Sequence, residues 1–95
     1  MAAYVYILAS KKNGTLYVGA STDLVGRIYQ HKADAVEGFT KKYQVHLLVY
    51  FENYDDLDAA FYRERQIKKW NRAWKIRLIE EKNPDWRDLY PEIVG

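Results

Sequence analysis

Three features of this 95-residue chain point to an α+β domain built around a β-hairpin. Tyr4 to Ala9 and Leu16 to Ala20 are rich in β-branched and aromatic residues, and they flank Asn13-Gly14, a strong turn signal. Helical patterns follow from Leu24 and from Leu57 onward. Between them lies Val45 to Phe51, an apolar run suited to a buried strand, placed most simply beside the hairpin. The expected order is β-β-α-β-α-α.

Within the hairpin, alternation puts Val5, Ile7 and Ala9 on one face and Tyr4, Tyr6 and Leu8 on the other. A four-residue loop, Lys11 to Gly14, pairs Ser10 with Thr15, Leu8 with Tyr17 and Tyr6 with Gly19. Tyr6 and Tyr17 are then diagonal neighbours on one face, roughly 7–8 Å apart at the backbone. A two-residue loop would keep the faces and separate the two rings further, and an odd loop without a bulge would send them to opposite faces. The four-residue loop is preferred because it sets both hydroxyls beside one cleft.

Ser21-Thr22-Asp23 offers N-cap residues for a helix running to Ala33, with Leu24, Val25 and Ile28 inward and Gly26 as a weak point. Arg27 and His31 stand at i and i+4, on one face. Residues 34 to 43, with Gly38, read as a loop. After the third strand, Asp55 or Asp56 caps a helix whose inward stripe is Leu57, Ala60, Phe61, Glu64 and Ile67. A break near Asn71 precedes a second apolar stretch, Trp74, Ile76, Leu78 and Ile79, which must stop at Asn83-Pro84. The tail, residues 83 to 95 with Trp86, Leu89, Tyr90 and Ile93, is expected to fold back over the core, making residues 1 to 95 one domain.

Composition narrows the functional classes. Apolar residues at 48% and charged residues at 29% argue against disorder, while nine Tyr and three Trp supply rings for a small core or a binding surface. No Cys is present, which excludes disulfides, thiolate metal sites and Cys nucleophiles. The N-terminal apolar run is too short for a membrane span and has no basic leader, so a cytoplasmic protein is expected. The two His lack the close spacing of a zinc site. A net charge of +2 says little, but Arg63 to Arg77 holds seven basic residues and one acid, Glu64.

Glu64 is the most informative residue, because a charged side chain seldom sits in a core stripe unpartnered. Either it pairs with Lys68 as an ordinary i,i+4 ion pair, or it holds a hard divalent cation such as Mg²⁺. Arg27 offers a planar fork suited to phosphate, and His31 can bond another phosphate oxygen or move a proton; the plain alternative is a solvated Arg and a His at the helix edge. Tyr6 and Tyr17 are ordinary strand aromatics unless nearby cations lower their pKa from about 10. Lys68, Lys69, Arg72 and Lys75, extended by Lys41 and Lys42, form either a solvated face or a track for a nucleic-acid backbone.

Val5-Tyr6-Ile7 and Tyr17-Val18-Gly19, with ten residues between Tyr6 and Tyr17, then Arg27, His31 and a later helical Glu64 together resemble the GIY-YIG nuclease domain over about residues 4 to 79. Arg63 to Trp70 and Asn83 to Leu89 are similar to the small stand-alone bacterial members of that superfamily. The resemblance implies a three-stranded antiparallel sheet flanked by helices, and phosphodiester hydrolysis with one metal ion, Mg²⁺ or Mn²⁺. It assigns the metal to Glu64, the scissile phosphate to Arg27, a position that is His or Tyr in relatives to His31, and the attacking water to Tyr6 and Tyr17. Gly19 would keep the strand slim beside the site. Val5 stands where the family name has Gly, and neither Asn71 nor Asn83 clearly matches the late Asn of some relatives. The expected partner is DNA ahead of RNA, with structure selected over sequence; a non-catalytic nucleic-acid-binding module and a protein-binding adaptor are the competing readings.

Overall fold

The computed structural model describes residues 2–95. Three strands, β1 (Ala3–Ala9), β2 (Leu16–Ser21) and β3 (Leu47–Tyr54), form an antiparallel sheet in the order β2-β1-β3. The helices are α1 (Leu24–Lys32), α2 (Phe39–Lys42), α3 (Leu57–Lys69), α4 (Arg72–Lys82) and α5 (Tyr90–Val94). The architecture is the α+β sheet with flanking helices expected from the sequence, with two short helices added. One of them, α2, lies in the stretch read as a loop; four residues are too few to leave a periodic signal.

The hairpin has the four-residue loop: Tyr6 faces Gly19, Leu8 faces Tyr17, and the Ser10 amide donates to the Thr15 carbonyl at 3.0 Å. Asn13 takes the left-handed conformation with φ of 60°, which Asn tolerates, and a Cβ on Gly14 would come within 2.3 Å of Ser10 Oγ. Central β1 is covered on both faces. Val5, Ile7 and Ala9 pack with Ala60 and Ile67 of α3, Ile79 of α4 and Trp86 of the tail. Tyr6 and Leu8 pack with Leu24 and Ile28 of α1, Val45 and Leu48. Each fully buried Ile or Leu contributes about 1.5–3 kcal/mol relative to exposure. A bulge in the β1–β3 ladder between Ile7 and Leu8 lets consecutive Val49 and Tyr50 both join the first cluster.

Three side-chain caps set where the long helices begin. Asp23 accepts from the Gly26 amide at 3.0 Å, Asp56 from Ala59 at 2.8 Å and Asn71 from Trp74 at 2.9 Å. Inward stripes are narrower than helical spacing suggests. Val25 (39% exposed), Phe61 (38%) and Trp74 (55%) turn outward, because each helix covers only the width that the three-stranded sheet presents. Asn83 ends α4 and is buried: its Nδ2 donates to the Val49 and Arg87 carbonyls at 3.1 and 2.9 Å, and its Oδ1 accepts from the Arg87 amide at 3.0 Å. Beyond it, Asp88 pairs with Lys32 and accepts from the Leu48 amide at 3.2 Å, tying the tail to the start of β3.

Candidate active site

The site begins where β2 is thinnest. Tyr6 sits opposite Gly19, and its hydroxyl lies over that residue, 2.4 Å from where a Cβ would stand. No other residue type leaves room for the phenol there. Tyr17, on the same face, places its ring centroid 6.4 Å from that of Tyr6. Helix α1 then brings His31 against both rings, at 5.9 Å from Tyr6 and 5.5 Å from Tyr17.

His31 is buried, 1% exposed, where a helix-edge position was one sequence reading. Its Nε2 lies 3.2 Å from Tyr6 Oη, and its Nδ1 lies 2.9 Å from Thr40 Oγ1 of α2. Two proton arrangements satisfy these three groups. With the proton on Nδ1, it is donated to Thr40 and Tyr6 donates to Nε2. With the proton on Nε2, it is donated to the Tyr6 oxygen and Thr40 donates to Nδ1. Thr40, itself buried, was not found from the sequence, where no pattern in a polar tract links it to His31.

Burial is the main cause of both titration shifts here. It lowers His31 to about 4, with the positive charge of Arg27 and then His46 adding, so the imidazole is neutral around pH 7. It raises the Tyr6 phenol to about 12; Arg27 beside the hydroxyl pulls the other way, while Tyr17 and Glu64 add to the rise. Tyr6 therefore keeps its proton near neutral pH in the resting protein.

Glu64 arrives from the other side of the sheet. Helix α3 packs through Ala60 and Ile67 on the face opposite Tyr6, yet it lies along β2, the edge strand. From there the charge of its carboxylate bears weakly on the Tyr6 phenol of the other face. Glu64 is mostly buried, with 16% of its side chain exposed, and Lys68 stands 3.6 Å away. The i,i+4 pair weighed from the sequence is thus present, though loose. Arg27 is half-buried and donates to Gln30 at 3.4 Å. Tyr6, Tyr17 and His31 thus meet directly, while Arg27 and Glu64 stand near enough for their charges to bear on the Tyr6 phenol.

The basic candidates divide. Lys41 pairs with Glu37 at 3.1 Å, and Arg72 donates to the turn carbonyls of Asn13 and Gly14 at 2.6 and 2.5 Å. Among the described residues Lys42, Lys69 and Lys75 have no carboxylate within ion-pairing distance. Arg63 faces away from the cleft, bidentate on Glu52 at 3.0 Å for both bonds. Burial pushes the Glu52 carboxyl up, but Arg63 and the Tyr50 and Tyr54 hydroxyls outweigh it and hold it below its usual range. Asn71 is a helix cap and Asn83 a buried strut, which gives architectural duties to the two Asn left unassigned.

Comparison with known proteins identifies the family. Residues 2–77 match the family model of the GIY-YIG catalytic domain. A UPF0213 protein of Staphylococcus haemolyticus is 38% identical over 83% of this chain and 95% of its own length. Another, from Haloquadratum walsbyi, is 37% identical over 82% of this chain and 86% of its own. The solution NMR structure of a UPF0213 protein from Bacillus halodurans superposes with a TM-score of 0.57 at 28% identity, covering 93% of each chain. From the match over most of its length, this chain belongs to the GIY-YIG catalytic-domain family, a family of nucleases, with its UPF0213 relatives.

Proposed function

We propose that this chain is a divalent-metal-dependent endonuclease that hydrolyses phosphodiester bonds in nucleic acid, DNA ahead of RNA, selecting structure over sequence. The observation that supports the reading is the meeting of Tyr6, Tyr17 and His31 from three elements in one cleft, with the charges of Arg27 and Glu64 bearing on the same phenol. The reading takes residues 1 to 95, tail included, as one domain acting in the cytoplasm; no helix among the described residues is long and apolar enough to cross a membrane.

The donor set fits one kind of ion. Among the described residues no three His, Cys, Asp or Glu gather, which argues against an all-protein cage. Mg²⁺ and Mn²⁺ suit a site with a single carboxylate, completing their shell with water and phosphate oxygens, and Glu64 would hold either. Such an ion, when bound, supplies positive charge to a phosphoryl oxygen and so lowers the cost of the charge that develops there.

The chain's own groups do the positioning. Arg27 presents its fork to the scissile phosphate. Tyr6 donates to His31 Nε2 and keeps lone pairs for a water in the cleft; Tyr17, half-buried at the rim, is the second phenol able to orient it. When the His31 proton sits on Nε2 it is donated to the Tyr6 oxygen, which frees the phenol's own proton to be donated to an oxygen in the cleft, so Tyr6 orients a water or phosphate oxygen while staying neutral. Lys42, Lys69 and Lys75, with Lys41, Lys68 and Arg72 once released from their partners, make the phosphate track, so binding weakens with salt.

The test is incubation with labelled DNA and RNA hairpins, flaps, nicked duplexes and single strands in Mg²⁺, Mn²⁺ or chelator. Wild type is expected to cleave only with metal, and Glu64→Ala and Arg27→Ala each to cut at least about 100-fold more slowly. Equal cleavage by all three proteins would refute the proposal.

A further inference from the structure

We propose that Phe39 and Tyr43 form a stacking platform for unpaired nucleobases, feeding a single-stranded segment into the cleft. This deepens, and rests on, the phosphodiester reading of the site. Both rings are exposed, at 45% and 46%, and neither belongs to a core cluster. They are nevertheless ordered relative to the cleft. Phe39 stacks on Tyr17 with centroids 6.1 Å apart and planes 29° from parallel, and Tyr43 lies 4.8 Å from Phe39. Since Tyr17 stands 5.5 Å from His31, one series of rings runs from the buried imidazole out to the surface.

Charge at the outer end favours a polyanionic strand over a protein partner. Lys42 sits with its amine 5.4 Å above the Tyr43 ring and has no carboxylate partner among the described residues. Lys41, beside it, has only the exposed Glu37. Ring faces with a neighbouring cation hold a base by its face and the adjoining phosphate by charge, with little regard for sequence. Bases within a duplex already stack on one another, so only unpaired bases can use these faces. The same four-residue helix carries Thr40, bonded to His31, so platform and cleft are one mechanical unit.

The test measures binding in chelator, so that it does not depend on cleavage. Fluorescence anisotropy with labelled single-stranded DNA, single-stranded RNA of the same sequence, the DNA duplex and an abasic DNA strand is compared across wild type, Phe39→Ala/Tyr43→Ala and Phe39→Leu/Tyr43→Leu. The Leu pair keeps apolar bulk on α2 should the Ala pair unfold. Single-strand affinity is expected to fall about 10-fold or more in the variants, and equally for wild type on the abasic strand, with duplex affinity unchanged. A loss in the DNA arm, the RNA arm or both supports the platform and names its strand. Unchanged single-strand affinity in both variants overturns it and gives the surface to a protein partner; so does an equal loss on duplex. Failure to cleave with any metal would sink the nuclease reading and leave this result standing.

Discussion

Replacing Gly19 with Ala tests whether the slimness of β2 positions the Tyr6 hydroxyl. The new Cβ would meet Tyr6 Oη at 2.4 Å, Cζ at 2.5 Å and Cε1 at 3.0 Å, well inside the roughly 3.5–4.0 Å of favourable contact. The ring cannot swing into open space, because Tyr6 is 1% exposed and its hydroxyl is bonded to His31 Nε2 at 3.2 Å. Overpacking costs about 1–3 kcal/mol and the broken hydrogen bond about 1 kcal/mol more. Ala recovers about 0.5–1 kcal/mol over Gly within a strand. The net loss is about 1–3.5 kcal/mol, or roughly 5–25 °C in Tm for a domain of this size. Thermal unfolding followed by circular dichroism on wild type, Gly19→Ala, Tyr6→Leu and the double variant measures it. Leu lacks the clashing Cζ and Oη, so in that background the added methyl is expected to cost less than about 1 kcal/mol. An equal cost in both backgrounds would show that the methyl does not collide with Tyr6.

Two further outcomes follow from the buried imidazole. Because folded His31 titrates near 4 rather than 6.5, the unfolded chain takes up a proton that the folded chain refuses. Stability is therefore expected to fall as pH drops from about 6.5 to about 4, by about 3 kcal/mol, and this contribution to flatten below. Urea melts across that range check it, and a slope unchanged in His31→Gln would assign the effect elsewhere. Thr40→Val leaves the His31 Nδ1 without its 2.9 Å partner at nearly constant volume. That variant is expected to lose about 1–3 kcal/mol and to slow cleavage, while Thr40→Ser restores both; a Ser variant as impaired as Val would deny the hydroxyl its part.

Much of the hairpin was legible in the order of residues, because its causes are local. A side-chain period of 2 and an Asn-Gly turn locate the hairpin and sort its faces, with the four-residue loop that pairs Tyr6 with Gly19 among the registers they allow, and Asp23 and Asp56 cap helices through bonds three residues long. Glu64 could be singled out as a carboxylate in an apolar stripe. That its charge bears on the Tyr6 phenol depends on α3 lying along the edge strand, which no periodicity encodes. Helical spacing put Arg27 and His31 on one face but could not tell that His31 is sealed under the rings while Arg27 stays half-open. Thr40 and the Phe39–Tyr43 pair were invisible for the same reason: their partners lie nine residues or more away in His31 and Tyr17, across a turn of helix too short to announce itself. The sequence by itself determined the hairpin, the starts of the helices and the chemistry available, since these follow from backbone geometry and neighbours along the chain. Which side chains share a dry cleft was decided only by tertiary packing, because burial belongs to the surface where two elements meet and to neither alone.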